Sequence, residues 1–242
     1  MYPILEQTVR TVEVENNTIS YVLKRKNVKN INLRVHSDCT ISISASPFIS
    51  ASFIDNFVLQ HGKYILKTCE NFKHKNQISN DNKKYISGEA FYLLGKLLRL
   101  KVAEGNNFVS TDGVYLFLNT TDINNKSLKE KIIKNYFNNC AKQEYGKIIN
   151  KIYPIFKKYN IKYPELRIRK MTSRWGSCMY EKHIITLNSE LILYPESCIE
   201  YVVLHEFCHF IHHNHSKKFY NLLTILMPDW KDRKNVLENF NY

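Results

Sequence analysis

The segment HEFCHFIHHNH, residues 205–215, places five histidines and one glutamate within eleven positions of an otherwise apolar stretch. A neutral imidazole can ligate a metal through a ring nitrogen, and a carboxylate can accept a proton. On a helix, residues four apart lie about 40° apart around the axis, so His205 and His209 project from one face and can converge on one ion. Glu206, about 100° further round, falls near that ion but is poorly placed to ligate it alongside both histidines. This is the H-E-x-x-H arrangement, two zinc ligands plus a carboxylate able to take a proton from water on the metal. Catalytic zinc usually takes three protein ligands and keeps a further position for water. Spacing favours His215 as the third, with His212 and His213 as rivals. For His215 to fold back the helix must end first, and Asn214 suits a left-handed terminator. Ser216 then suits the N-cap of a second helix, which docks Phe219 against the first.

The flanks of the motif, Val202, Val203, Leu204, Phe207, Phe210 and Ile211, predict a helix buried on most sides. Burying His205, Glu206 and His209 without partners is costly, and a metal ion compensates for that cost. The chemistry expected is hydrolysis of a protein or peptide substrate, with one Zn2+ per chain lowering the pKa of water to about 7 and Glu206 as general base. The tetrahedral oxyanion needs a further donor, for which Arg174, Tyr220 and His213 are the candidates. Trp175, in SRWGSC, either fills the core or flanks the substrate beside the strand HIITLN, where an extended peptide could add as a strand.

Several elements must position these residues. VRTVEV, ISYVLKR, NINLRV and TISISAS are short, β-branched and separated by turn residues, and read as strands. From Ser50 the apolar spacing becomes helical and continues to about Phe72, followed by a polar loop at KHKNQISNDNKK. Gly88 and Gly95 mark turns between further short strands, and VYLFLN reads as another. Leu128, Ile132, Ile133, Tyr136, Phe137, Tyr145, Ile148, Ile149 and Ile152 predict one long helix from about Lys126 to Tyr159. The fold class expected is α+β: a β-rich lobe over 1–122, then a mainly helical lobe with a small sheet over 123–242 that carries the histidines.

Bulk properties narrow the function classes. The chain has 242 residues with 44% hydrophobic and 24% charged content, ordinary for a globular protein. No run approaches the roughly 20 apolar residues of a membrane span. The first residues, MYPILEQTVRTVEVENN, lack the features of a secretory signal, which makes the cytoplasm the expected location. Six scattered cysteines without a C-x-x-C pair are expected to stay reduced. The net charge of +13 is compatible with nucleic-acid association, although the basic residues are dispersed along the chain.

RWGSC (174–178), ITLNSELILYPESCIEYVVLHEFCH (185–209) and NHSKKFY (214–220) resemble the YgjP-like metallopeptidase family, formerly a domain of unknown function and related to the SprT and WLM zincin-like proteases. RKNVKNINLRVHSDCTISISAS and YISGEAFYLLGKLLRLKV resemble its N-terminal blocks, so the likeness runs from about Ser20 to Asn235. The resemblance implies a minimal gluzincin-like α+β core, zinc at His205, His209 and His215, and Glu206 as catalytic base. Cys208 and His213 depart from the Ala and the turn-forming Pro or Gly expected at their positions. Two other readings stand beside a peptidase: a DNA-associated protein or protease of the SprT type, and a metal-binding scaffold without turnover.

Overall fold

The computed structural model describes residues 3–36, 38–78 and 83–240, with residues 71 and 73–78 described by backbone alone. The chain forms two compact units, 1–77 and 78–242. In the first, β1 (Glu6–Val14), β2 (Asn17–Arg25), β3 (Asn32–Val35) and β4 (Ile41–Ala45) form a sheet of order β1-β2-β4-β3. β1 and β2 pair antiparallel with Arg10 opposite Tyr21, β2 and β4 run parallel, and β3 closes antiparallel on β4. The period-2 pattern turns Ile19, Tyr21, Leu23, Ile41 and Ile43 into one core with Ile54, Val58 and Ile65 from the helices.

The helical stretch after Ser50 is two helices, α1 (Ala51–Gln60) and α2 (Gly62–Ile78). Ser50 caps α1 by accepting from the Phe53 amide at 3.3 Å, and His61, whose Nδ1 lies 2.8 Å from the Phe57 carbonyl, marks the break. The loop expected from Lys73 begins later, because α2 continues to Ile78. Lys and Gln are polar but good helix formers, so polarity alone does not end a helix there. Residues 79–82 of that loop lie outside the described residues.

The second unit begins with a sheet of order β5-β6-β8-β7, from β5 (Ala90–Leu93), β6 (Lys96–Glu104), β7 (Phe108–Thr111) and β8 (Tyr115–Thr120). Gly88 and Gly95 have φ of +90° and +78°, the left-handed turn positions that glycine occupies without strain. Next come α3 (Lys126–Lys157), β9 (Glu165–Arg169), β10 (Gly176–Met179), β11 (Ile184–Asn188), α4 (Glu196–Cys208), α5 (Lys217–Leu226) and α6 (Trp230–Glu238). The three later strands form a sheet of order β10-β11-β9, with β11 central and buried along its whole length.

The two compact units divide at 77/78, whereas the change in sequence pattern lies near residue 122. Phe91, Leu98, Leu100, Leu116 and Leu118 of the β5–β8 sheet share one continuous core with α3, α4 and α5. A strand pattern identifies an element but not the layer that covers its apolar face. The architecture is α+β, with a strand-rich N-terminal region and six helices among the described residues. Among the described residues, no helix is long and apolar enough to cross a membrane.

Candidate metal centre

α4 begins directly after Pro195, whose fixed φ suits a helix entrance, and Glu196 supplies an acidic first-turn residue. Its sequence is apolar nearly all round, and Cys198, Ile199, Val203, Leu204, Phe207 and Cys208 are buried. Glu200 ties the helix down by accepting from Lys151 of α3 at 2.5 Å and Arg233 of α6 at 2.6 Å. The last turn then carries His205 and Glu206, with His209 as the C-cap.

The chain leaves the helix differently from the expectation for Asn214, which is not among the residues with positive φ. Histidine side chains stabilise the exit instead. The Nδ1 of His209 lies 3.1 Å from the His212 carbonyl, and the Nδ1 of His213 lies 3.0 Å from the His209 carbonyl. A carbonyl only accepts, so both Nδ1 atoms must carry the proton, and neutral His209 presents an unprotonated Nε2. Ser216 precedes α5 as its N-cap, without a side-chain capping bond.

These turns bring His215 back onto α4. The ligand-type atoms of His205, His209 and His215 lie within 4.8 Å of one another, and the Nε2 atoms of His205 and His215 are 2.9 Å apart. Phe219 of α5, fully buried, lies against all three rings, with centroid separations of 4.9 Å, 4.7 Å and 4.9 Å. The docking expected for Phe219 is thus present. Burial, then the neighbouring His209 and His215, pushes His205 down to about 3, and burial lowers His209 as well. Both rings are accordingly neutral at pH 7, the state in which an imidazole can ligate. The buried Nδ1 of His205 has no hydrogen-bond partner among the described residues. Three converging imidazoles fit a divalent cation of borderline softness, so the triad is able to hold a metal ion.

Glu206 is 5% exposed, and its carboxyl receives no hydrogen bond from the described residues. Burial pushes it up to about 8, against a smaller downward pull from Arg174. A cleft of about 710 Å³ opens over the centre. It brings together the residues expected from sequence: Arg174, Trp175, His205, Glu206, His209, His213, His215 and Tyr220. His212 is not on its lining and contributes its carbonyl to His209. His213 stacks on Tyr180 at 3.7 Å, Trp175 packs edge-on against Tyr194 at 4.7 Å, and Tyr220 lies between His215 and Trp230.

Sequence reasoning missed four contributors. Tyr201 and Tyr180 line the cleft from α4 and from the turn after β10, and Gly176 abuts Glu206. Asn188 is fully buried and holds the segment that presents Arg174 and Trp175: its Nδ2 donates to the carbonyls of Met171 at 2.8 Å and Arg174 at 3.1 Å, and its backbone amide donates to Trp175 at 2.8 Å. An isolated Asn at a strand end is one signal that could have found it, since such a side chain often bonds nearby backbone.

The structure defines an α+β protein in which His205 of α4, His209 at its C-cap and His215 from the turn beyond it form a triad able to hold a metal ion, beside the buried carboxyl of Glu206. Residues 29–240 match the YgjP-like metallopeptidase domain, and the chain belongs to the YgjP-like family. No curated protein matches it. Among solved structures it is similar to the metallopeptidase zymogen of Methanocaldococcus jannaschii jannalysin, at 23% identity over 39% of this chain and 87% of that one, with a TM-score of 0.34.

Proposed function

We propose that this chain is a zinc-dependent peptidase, in which His205, His209 and His215 hold one Zn2+ and Glu206 is the general base. The observation that carries this reading is the convergence of three ring nitrogens within 4.8 Å beside the buried carboxyl of Glu206. Zn2+ held there supplies Lewis acidity, which brings the pKa of water to about 7 and polarises a carbonyl. Glu206 accepts a proton from the attacking water and returns it to the leaving nitrogen, so its carboxyl is restored at the end of each cycle.

Arg174 is our choice for stabilising the oxyanion. It lines the cleft, is exposed, makes no ion pair among the described residues, and acts electrostatically on Glu206. A peptide or protein chain is the substrate we assign, on the strength of the metallopeptidase family to which the chain belongs. The test is Glu206→Gln, with metal content and peptide hydrolysis measured together. A base role predicts retained zinc and a loss of about 10²–10⁴-fold in kcat. Retained zinc with undiminished hydrolysis excludes that role, and zinc binding without turnover in the wild type identifies a metal-binding scaffold.

A further inference from the structure

Gly176 opens β10, an edge strand of its sheet, with Leu187 of β11 as register partner. A Cβ built at this position meets Glu206 on three atoms: Oε1 at 2.6 Å, Cδ at 2.9 Å and Cγ at 2.8 Å. The backbone here is ordinary, unlike Gly88 and Gly113, which sit at φ of +90° and +91° with nothing nearby. Gly88 and Gly113 serve a turn. Gly176 serves a contact.

Rotating the carboxyl about its last bond moves Oε1 but leaves Cγ and Cδ in place, so a side chain at 176 cannot be accommodated by a local twist. Glu206 must shift as a whole, or the strand must. The strand is held, because Asn188 bonds the carbonyls of Arg174 and Trp175 just before it. Glu206 has no hydrogen bond within the described chain to fix its place, so what it touches locates it. We propose that Gly176 is a positioning residue: by carrying no side chain, it lets the β10 backbone serve as the wall that sets where the Glu206 carboxyl stands relative to the histidines. The inference rests on Glu206 being the general base.

The experiment is a pair of double-mutant cycles on the full chain. Gly176→Ala is expected to keep its zinc stoichiometry and its KM within about threefold while kcat falls about 100-fold, the scale for a catalytic group displaced by about 1 Å. In a Glu206→Gln background the same substitution is expected to change the residual rate less than about twofold. Gly146→Ala, a position with no atom near the added methyl, is the control and leaves kcat unchanged.

Thermal stability provides a readout independent of turnover. Gly176→Ala lowers Tm in the wild-type background and leaves it unchanged in Glu206→Ala, where the clashing atoms are gone. Equal Tm losses in both backgrounds overturn the contact. Wild-type kcat in Gly176→Ala, alongside an inactive Glu206→Gln, overturns the positioning role. An active Glu206→Gln removes the base assignment, and the positioning role that rests on it, while the Tm cycle still reports the contact.

Discussion

Asp55 in the first unit and Glu206 in the second are both helix-borne carboxyls, and their surroundings drive them in opposite directions. The Asp55 carboxylate accepts from Arg10 at 3.0 Å and 2.7 Å and from the Tyr21 hydroxyl at 2.6 Å. The Arg10 guanidinium holds it below the usual carboxylate range, and burial with the Asp55 bond pushes Tyr21 up to about 12. Glu206 has more burial and no such donors, and is pushed up to about 8. A carboxylate with its hydrogen bonds satisfied is committed to holding structure together. One left buried without donors retains proton affinity near neutral pH and is available for chemistry. The Asp55 carboxylate is fixed by hydrogen bonds; the Glu206 carboxyl is fixed by packing.

That contrast can be broken most forcefully at Phe219. Phe219→Ala removes the ring against which all three histidines lie, and a loss of about 3–5 kcal/mol is expected in chemical denaturation of the second unit. His209→Ala comes next. Loss of an outer partner of a metal ligand alone costs about 10–100-fold, so removal of the ligand itself is expected to weaken zinc by more than about 100-fold in chelator competition. Asp55→Asn should leave that affinity unchanged. Tyr21→Phe, which deletes one bond to a charged acceptor, is expected to cost about 1–2 kcal/mol in the first unit without altering zinc affinity.

The smallest and sharpest test is pH. Asp55 is held below its unfolded value, so its stabilisation is present at neutral pH and is lost as pH falls through the folded value. Glu206 is raised from the ordinary 4.5 to about 8, so in metal-free protein its contribution is full below about 4.5 and is lost as pH rises to about 8. His205, lowered from 6.5 to about 3, opposes part of that slope, so each variant is compared with wild type at the same pH. Metal-free Glu206→Gln is expected to gain on wild type from about pH 4.5 to about 8 and then level off. Asp55→Asn is expected to lose ground as pH rises toward about 4, the unfolded value of an aspartate. Parallel curves for the two would remove the distinction between the carboxyls.

Much of the histidine cluster was legible because its spacing is local. An i, i+4 pair of histidines on a helix shares a face whatever surrounds it, and six residues suffice for a turn that returns His215. The route of that turn was not legible, since the carbonyls after α4 are bonded by the rings of His209 and His213 rather than by a left-handed residue at 214. The Asp55 cluster could not be read at all. Alternation shows which face a strand residue takes, but Arg10 meets Tyr21 only through register, and Asp55 reaches both only once α1 lies on the sheet.

By itself, the amino-acid order determined many of the strands and helices, the histidine spacing with its neighbouring carboxyl, and the likeness to a metallopeptidase family, because periodicity and short-range spacing follow from backbone geometry. Only the tertiary structure decided that the β5–β8 sheet shares a core with the histidine helix, that Asn188 holds the segment before β10, and that Gly176 walls in Glu206. Those contacts join residues 12 or more apart in sequence, whose meeting depends on how layers pack rather than on any local rule.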